Sequence, residues 1–153
     1  MDNRDPVREF LNSVLEARIE VKRIERKLKV LEARVLNITS QLTGMPSGGA
    51  ADRNAVLAAY SDISHDYYER LIEAEKREVE VSDFINRLPT SDSRIILKLR
   101  YVDCKKWPKV LVELNKAGRD ISSDWMFKLH GRALNEAREL YNKENNHDEN
   151  RDT

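Results

Sequence analysis

The sequence predicts an all-α protein in which a long helical hairpin, a coiled coil, is followed by a small helix-turn-helix module. Apolar side chains recur at alternating intervals of three and four residues through most of residues 1–88. Only 5 Gly and 4 Pro occur among 153 residues, so long segments run without a helix breaker. Charged residues make up 35% of the chain, which favours elongated helices over a compact globule.

The first helix is predicted from about Asp5 to Leu42. Asp5 can cap it, and Pro6 lies in the first turn, where a missing N–H costs nothing. Charged residues flank its apolar seam and indicate a solvated outer surface. The seam consists of Val7, Phe10, Val14, Ala17, Val21, Ile24, Leu28, Leu31, Val35, Ile38 and Leu42.

A loop is predicted over 43–52, where three Gly and one Pro occur, and a second helix from about Asp52 to Leu88. The loop has no Lys-Ser or Lys-Thr pair after it, so a phosphate-binding loop is not indicated. The second seam, with Ile63 and Phe84 on its shoulder, consists of Leu57, Tyr60, Ser64, Tyr67, Leu71, Ala74, Glu78, Val81, Ile85 and Leu88.

Two helices of similar length joined by about ten residues are expected to pack as an antiparallel hairpin. The alternative is that the first helix pairs with its copy in a second molecule, because Val recurs at alternate seam positions, as in two-stranded parallel coils. The hairpin and the pairing between molecules can both occur if two hairpins pack together. Residues 1–88 are therefore the expected oligomerisation region of a homodimer.

Pro89 marks a domain boundary, after which residues 89–144 are predicted to form three short helices and 145–153 a disordered polar tail. The first spans Asp92 to Val102, capped by Thr90 or Ser91, with Ile95, Leu99 and Val102 inward and Ile96 beside them. The second begins at Trp107 and ends near Gly118, with Val110, Leu111 and Leu114 inward. Ser122 caps the third, whose inward residues are Met126, Leu129, Ala133, Ala137 and Leu140.

Charge is unevenly distributed, although 27 Lys and Arg balance 27 Asp and Glu overall. Residues 89–144 carry 12 Lys and Arg against 8 Asp and Glu, as phosphate binding by this module would need. No apolar run approaches the roughly 20 residues of a membrane span. The single cysteine, Cys104, rules out an intrachain disulfide and favours a reducing, cytoplasmic location, and a small residue in a turn explains it best.

No catalytic, metal-binding or cofactor-binding constellation is found, so no enzyme is predicted. The three histidines, His65, His130 and His147, lie on different elements without a cysteine or carboxylate at metal-ligand spacing.

The last helix carries the candidate DNA contacts, since a helix fits the major groove and its first turns present side chains to base edges. Trp125 points outward without an assigned role, and Gly131 is expected to allow close approach by a neighbouring helix or by DNA. The candidate DNA-binding residues of the last helix are Ser122, Ser123, Asp124, Phe127, Lys128 and Arg132. Those placed for phosphates at the flank of the groove are Lys105, Lys106 and Lys109.

The stretches LKLRYVDCKKWPKVLVEL and MFKLHGRAL resemble the C-terminal module of phage-encoded regulators of the ArpU and RinA type, and GMPSGG is similar to their hairpin loop. That module is similar to the promoter-recognising region four of bacterial sigma factors. The resemblance implies a transcriptional activator of phage late genes in a bacterial host, which binds double-stranded promoter DNA and contacts RNA polymerase.

Three features depart from that group: a turn about five residues longer after Leu114, Leu111 in place of a small residue, and Cys104 in place of a Gly. Two other functions stay open from the sequence. One is a small terminase subunit for DNA packaging, which joins a helix-turn-helix to coiled helices in a ring of many copies. The other is a coiled-coil interaction protein that binds no DNA.

Overall fold

The computed structural model describes residues 4–41 and 50–151, which contain helices and no strand. The helices are α1 (Pro6–Gln41), α2 (Ala50–Asn86), α3 (Ser91–Leu97), α4 (Trp107–Lys116) and α5 (Ser123–Glu149), and a π-helical turn (Lys98–Val102) continues α3. This confirms the predicted all-α class. In the part of the chain so described, no helix has the length and hydrophobicity needed to cross a membrane.

The chain divides into two compact units. Unit 1 comprises Met1–Leu15 and Arg77–Thr153, and unit 2 comprises Glu16–Lys76. The sequence placed its boundary at 88/89 instead, where Pro89 breaks the helix. The observed boundary lies within α2, because Phe84 and Ile85 in its last turn, and Leu88 after it, are buried in the same core as the three following helices.

Unit 1 is held by one hydrophobic core to which every helix contributes. The Phe10 ring packs edge-on against Phe84, with centroids 5.2 Å apart. Because interiors are close-packed, truncation of a buried Leu or Ile here costs about 2–5 kcal/mol. The buried members are Val7, Leu11, Val14, Val81, Phe84, Ile85, Leu88, Ile96, Leu97, Tyr101, Val102, Val110, Leu114, Met126, Ala133, Leu134 and Ala137.

Asp5 fixes the beginning of α1 in two ways. Its Oδ1 accepts a hydrogen bond from the Val7 N–H at 3.2 Å, which confirms the predicted cap. Its Oδ2 accepts from Arg138 Nη2 at 2.7 Å, which ties α1 to α5. The hydrogen bond from Arg138 is the main cause that lowers the pKa of Asp5.

Unit 2 is an antiparallel pair formed by residues 16–41 of α1 and 50–76 of α2. Arg23 Nη2 donates a hydrogen bond to Glu20 Oε1 at 2.6 Å. Two charges on α2 act on this pair, because Arg70 lowers the pKa of Glu20 and Asp66 raises the pKa of Arg23. Ile24 and Ala74 are buried. The other seam residues that the structure describes here are half-buried, as a two-helix pair allows, with one exception treated next.

The predicted register of the second seam is wrong at its first position. Leu57 is 48% exposed, and Val56 is half-buried. At this end of α2 the seam therefore passes through Val56 in place of Leu57. Residues 50–52, predicted as loop, already belong to α2. Leu42 and the rest of the predicted loop lie outside the described residues.

The π-helical turn changes the predicted inward face after Ser91. Ile95 and Leu99 are only half-buried, whereas Leu97 and Tyr101 are in the core. Apolar residues fill nearly every position from 95 to 102, so periodicity alone does not choose the face. The turn closes with a bond from the Asp103 N–H to the Lys98 carbonyl at 2.8 Å, and its extra residue lets Tyr101 and Val102 both face inward.

α5 is longer than predicted. It continues to Glu149, five residues past the expected end at 144, so residues 145–149 of the expected disordered tail are helical and exposed.

Candidate nucleic-acid interface

The first turns of α5 are fixed by a cap and by one buried face. The Ser122 hydroxyl accepts a hydrogen bond from the Trp125 N–H at 3.3 Å, as the sequence predicts for the cap. Met126 and Ala133 are buried and Leu129 is half-buried, which confirms the inward face. Leu134 is also buried and was missed by the sequence analysis.

The opposite side of α5 is exposed to solvent. The Arg132 guanidinium lies over the Trp125 ring, 5.2 Å from its centroid, so the predicted outward Trp125 is partly covered by a neighbouring cation. The candidate DNA-binding residues on this side, all exposed, are Ser122, Ser123, Asp124, Phe127, Lys128 and Arg132.

Trp107 joins the first turn of α4 to the second turn of α5. Its ring centroid lies 4.6 Å from that of His130 and 5.2 Å from that of Phe127. The Arg100 guanidinium also lies over the Trp107 ring, 4.5 Å from its centroid. Trp107 thus contacts both neighbouring elements, and the beginning of α4 lies next to the exposed side of α5.

His130 is a packing residue of this joint. Tyr101 Oη and His130 Nε2 are 2.7 Å apart, and the two rings stack. Burial is the main cause that lowers the pKa of His130 to about 4, and the positive charges of Arg8, Arg100 and Arg138 lower it further. The sequence carried a signal for this position, because His130 lies four residues after Met126 and three before Ala133, on the inward face.

The candidate cations differ in their partners. Lys105 Nζ lies 3.8 Å from Glu113 Oε1, which also pairs with Lys116, so the charge of Lys105 is partly neutralised. Within residues 4–41 and 50–151, no acidic group forms an ion pair with the other four candidate cations. These four, named here the free cations, are Lys106, Lys109, Lys128 and Arg132.

The beginning of α4 is unusually positive for a helix N-terminus. Lys106 is the N-cap residue, Lys105 precedes it, Lys109 follows in the first turn, and no acidic residue occurs in that turn. A helix dipole favours anions at this end, so three cations here are electrostatically unfavourable when no anion is bound. A phosphate group would be stabilised both by the cations and by the positive end of the helix dipole.

The lengthened connection between α4 and α5, residues 117–122, has a defined geometry. Gly118 adopts φ +87°, and the Arg119 N–H bonds the Leu114 carbonyl at 3.2 Å while the Gly118 N–H bonds Asn115, a Schellman helix end. Asn115 Oδ1 accepts from the Ile121 N–H at 2.8 Å. Arg119 pairs with Asp92 at 2.7 Å, so the extra residues are attached to α3 and α4.

Two further residues near the interface, Leu111 and Cys104, are accommodated locally. Leu111 is half-buried against the core of unit 1. Cys104 has φ 56°, the left-handed region that favours glycine, which explains why a Gly would suit this turn.

Gly131 does not serve contact with another helix. A Cβ built on it would meet nothing within 4 Å, so the expected approach by a neighbouring helix is wrong for the described residues. Gly131 is instead exposed on α5, with open space around it.

Among the described residues, no group of three or more His, Cys, Asp or Glu is arranged to hold a metal ion. What the exposed side of α5 and the beginning of α4 offer is hydrogen-bonding side chains next to cations on a rigid helical frame. Comparison of the chain with protein-family models, with curated proteins and with solved structures finds no match.

Proposed function

We propose that this protein binds double-stranded DNA through the exposed side of α5 and the beginning of α4. The observation that carries the proposal is that the free cations lie on the exposed side of α5 and at the adjacent beginning of α4. This occurs in a chain with as many acids as bases. Elsewhere in unit 1, Arg87 and Arg119 are paired with acids, whereas Lys143 stands alone near the other end of α5 without an acidic partner among the described residues. Cations without acidic partners are those that phosphates can bind without breaking an internal contact.

The shape of the site supports the same proposal. An α-helix with side chains is about 10–12 Å across, which fits the major groove of B-DNA at about 12 Å. In this arrangement Ser123, Asp124 and Lys128 face base edges. Lys106 and Lys109 face phosphates at the flank of the groove, where the N-terminus of α4 adds the positive end of its dipole.

We extend the proposal, on the resemblance to ArpU and RinA regulators, to a transcriptional activator that binds phage late promoters as a homodimer and contacts RNA polymerase. A dimer offers two copies of α5 to two half-sites, which multiplies the affinity of a small module. Dimerisation and polymerase contact are parts of the proposal that DNA binding alone does not require.

The experiment begins with selection of duplex sites from random pools, followed by binding titrations on selected and random duplexes at several salt concentrations. Lys128→Ala is expected to weaken binding to the selected site by about 5- to 30-fold, because one base or phosphate contact is lost. Lys106→Ala is expected to weaken selected and random duplexes alike and to reduce the salt slope by about one.

The matched control is Lys143→Ala, which removes an exposed cation from the same helix about 22 Å further along its axis. Its binding should equal that of the unmodified protein. If no duplex is bound at low salt, or if Lys143→Ala weakens binding as much as Lys128→Ala, the proposed interface is refuted.

A protein-binding module is the second candidate, since Val112, Trp125 and Phe127 are 46%, 40% and 48% exposed in unit 1. Large exposed apolar side chains are enriched at contacts between proteins. The same titrations separate the two functions, because counterion release gives DNA binding a steep salt dependence that a protein contact of this kind lacks.

A further inference from the structure

A stripe free of Asp, Glu, Lys and Arg runs along the outer side of α2 in unit 2. It consists of Leu57, Ser61, His65, Tyr68 and Ile72, which follow one another at spacings of three or four residues and so keep one helix face. The His65 imidazole pairs with Glu69 at 3.0 Å along the edge of the stripe. Leu57, Tyr68 and Ile72 are 48%, 63% and 52% exposed. The seam between α1 and α2 is formed by other residues, so within unit 2 the hairpin leaves this stripe uncovered.

The outer side of α1 in the same unit has no such stripe. Ile19 and Val30 are as exposed as the residues on α2, at 56% and 57%. Lys22 and Arg26 lie between them on the same face, and both are exposed. Burial of that face would remove two cations from water, which costs far more than the apolar contact returns.

We infer that the stripe on α2 is the interface of a homodimer in which α2 packs antiparallel against α2 of a second copy. A two-fold axis between Ser64 and His65 places Leu57 opposite Ile72 of the other copy, and Ser61 opposite Tyr68. A small residue thus faces the largest one, and an aliphatic residue faces another. This inference rests on the dimer of the proposed function and names the surface that forms it.

Charge at the ends of the stripe selects the antiparallel direction. Arg53 lies four residues before Leu57, and Glu75 lies three residues after Ile72. Antiparallel packing brings Arg53 of each copy beside Glu75 of the other, twice by symmetry. Parallel packing would set Arg53 against Arg53 and Glu75 against Glu75. No ion pair within the described residues engages either side chain.

The α1 seam is not available for the parallel dimer considered from the sequence. Its residues in unit 2, such as Val21 and Ile24, are half-buried or buried against α2. A dimer through that seam would require the hairpin to open and lose this burial. The stripe on α2 needs no rearrangement, because its side chains are exposed in the monomer.

The oligomeric mass of the full chain tests the inference, measured by sedimentation equilibrium and light scattering without DNA. The unmodified protein is expected to be a dimer. Combined Tyr68→Glu and Ile72→Glu should raise the dimer dissociation constant by about 100-fold or more, because each dimer would bury four carboxylates. The matched control, combined Ile19→Glu and Val30→Glu, should remain a dimer with the same helical signal.

Disulfide cross-linking tests the direction of packing in a Cys104→Ser background. His65→Cys lies beside the two-fold axis and should form a disulfide-linked dimer on mild oxidation. Leu57→Cys should not, since its counterpart is about 22 Å away along the antiparallel pair.

Several outcomes overturn the inference: a monomer, a mass above the dimer, a dimer unaffected by the α2 substitutions, or efficient cross-linking through Leu57→Cys. Because α5 is unchanged in all these variants and no DNA is present, failure here is distinct from failure of DNA binding. A dimer with the expected behaviour that binds no duplex would refute only the DNA proposal.

Discussion

At the scale of single residues, the joint between α4 and α5 depends on a small polar and aromatic cluster. His130 contacts both Tyr101 and Trp107, and Arg100 covers the Trp107 ring. His130 contributes as a neutral ring, since its charged form would lie near three arginines in a partly dry site. The packing of α5 against the beginning of α4 therefore uses a neutral imidazole.

We expect acid to destabilise the protein through His130. Its pKa of about 4 in the folded state is below the ordinary value of 6.5, so the unfolded chain binds more protons between these values. Stability from this group is fully present above pH 6.5 and is lost as the pH falls towards 4. After allowance for the partial exposure of the ring, urea unfolding should show a loss of about 1 kcal/mol between pH 7.5 and 5.

The control for this prediction is His130→Gln, which retains a hydrogen-bonding group beside Tyr101 and does not titrate. Its loss of stability over the same pH interval should be smaller than that of the unmodified protein by the stated amount. Equal losses would show that other groups account for the acid sensitivity. Asp5 is not expected to contribute in this interval, because its pKa is lowered and its stabilising effect is lost only in stronger acid.

At the scale of helices, two glycines near the candidate interface have opposite roles. Gly118 has φ +87° at the end of α4, a conformation that L side chains rarely adopt. Gly131 lies within α5 with ordinary helical geometry. A Cβ would meet nothing within 4 Å at either position, so the difference between them is one of backbone conformation alone.

Alanine substitutions are expected to move stability in opposite directions. Gly118→Ala should destabilise the protein by about 1 kcal/mol, because the left-handed conformation strains an L residue. Gly131→Ala should stabilise it by up to about 1 kcal/mol, because Ala favours the helix interior. Thermal and urea unfolding of the two variants provide the measurement, and a change of the same sign in both would contradict the assigned backbone roles.

Much of the helical architecture could be predicted from the sequence, and the exceptions have physical causes. The seam of α1 and the caps at Asp5 and Ser122 follow from periodicity and from side-chain chemistry. The face of α3 could not be chosen, since consecutive apolar residues are compatible with several faces. The π-helical turn that settles the face has no local signature in the sequence.

The candidate interface could likewise be predicted only in part. Exposure of Lys128 and Arg132 followed from the helical spacing around Met126. The partner of Lys105 did not, because Glu113 lies on the next helix and only the tertiary structure brings it within 3.8 Å. The exposed stripe on α2 was likewise hidden in the sequence, where Leu57 had been assigned to the inner seam.

At the scale of the whole molecule, burial is concentrated in unit 1. Its core contains buried residues from every helix, whereas Ile24 and Ala74 are the buried residues among those described in unit 2. A pair of helices excludes less water than a core closed on several sides, so less apolar burial per residue offsets the entropy of ordering the chain. The two units should therefore differ in local stability.

Native-state hydrogen exchange should detect this difference. Amides of residues 16–41 and 50–76 are expected to exchange through openings of lower free energy than the core amides of α3 and α5. Ile24→Ala should accelerate exchange in unit 2 while leaving the slowest amides of α5 unchanged, and Ile96→Ala should accelerate the latter. Uniform protection across both units would contradict the prediction.

The ion pair between Asp5 and Arg138 joins residues 133 positions apart. During synthesis, the segment from Pro6 to Leu15 leaves the ribosome long before its packing partners in α5 exist. Unit 2 is continuous in sequence and can fold at once, while unit 1 must wait. Until the codons for α5 have been translated, the core that buries the first turns of α1 lacks Met126, Ala133, Leu134 and Ala137 and stays open on one side. The nascent chain thus acquires its proposed DNA-binding face last, as its first and last helices come together.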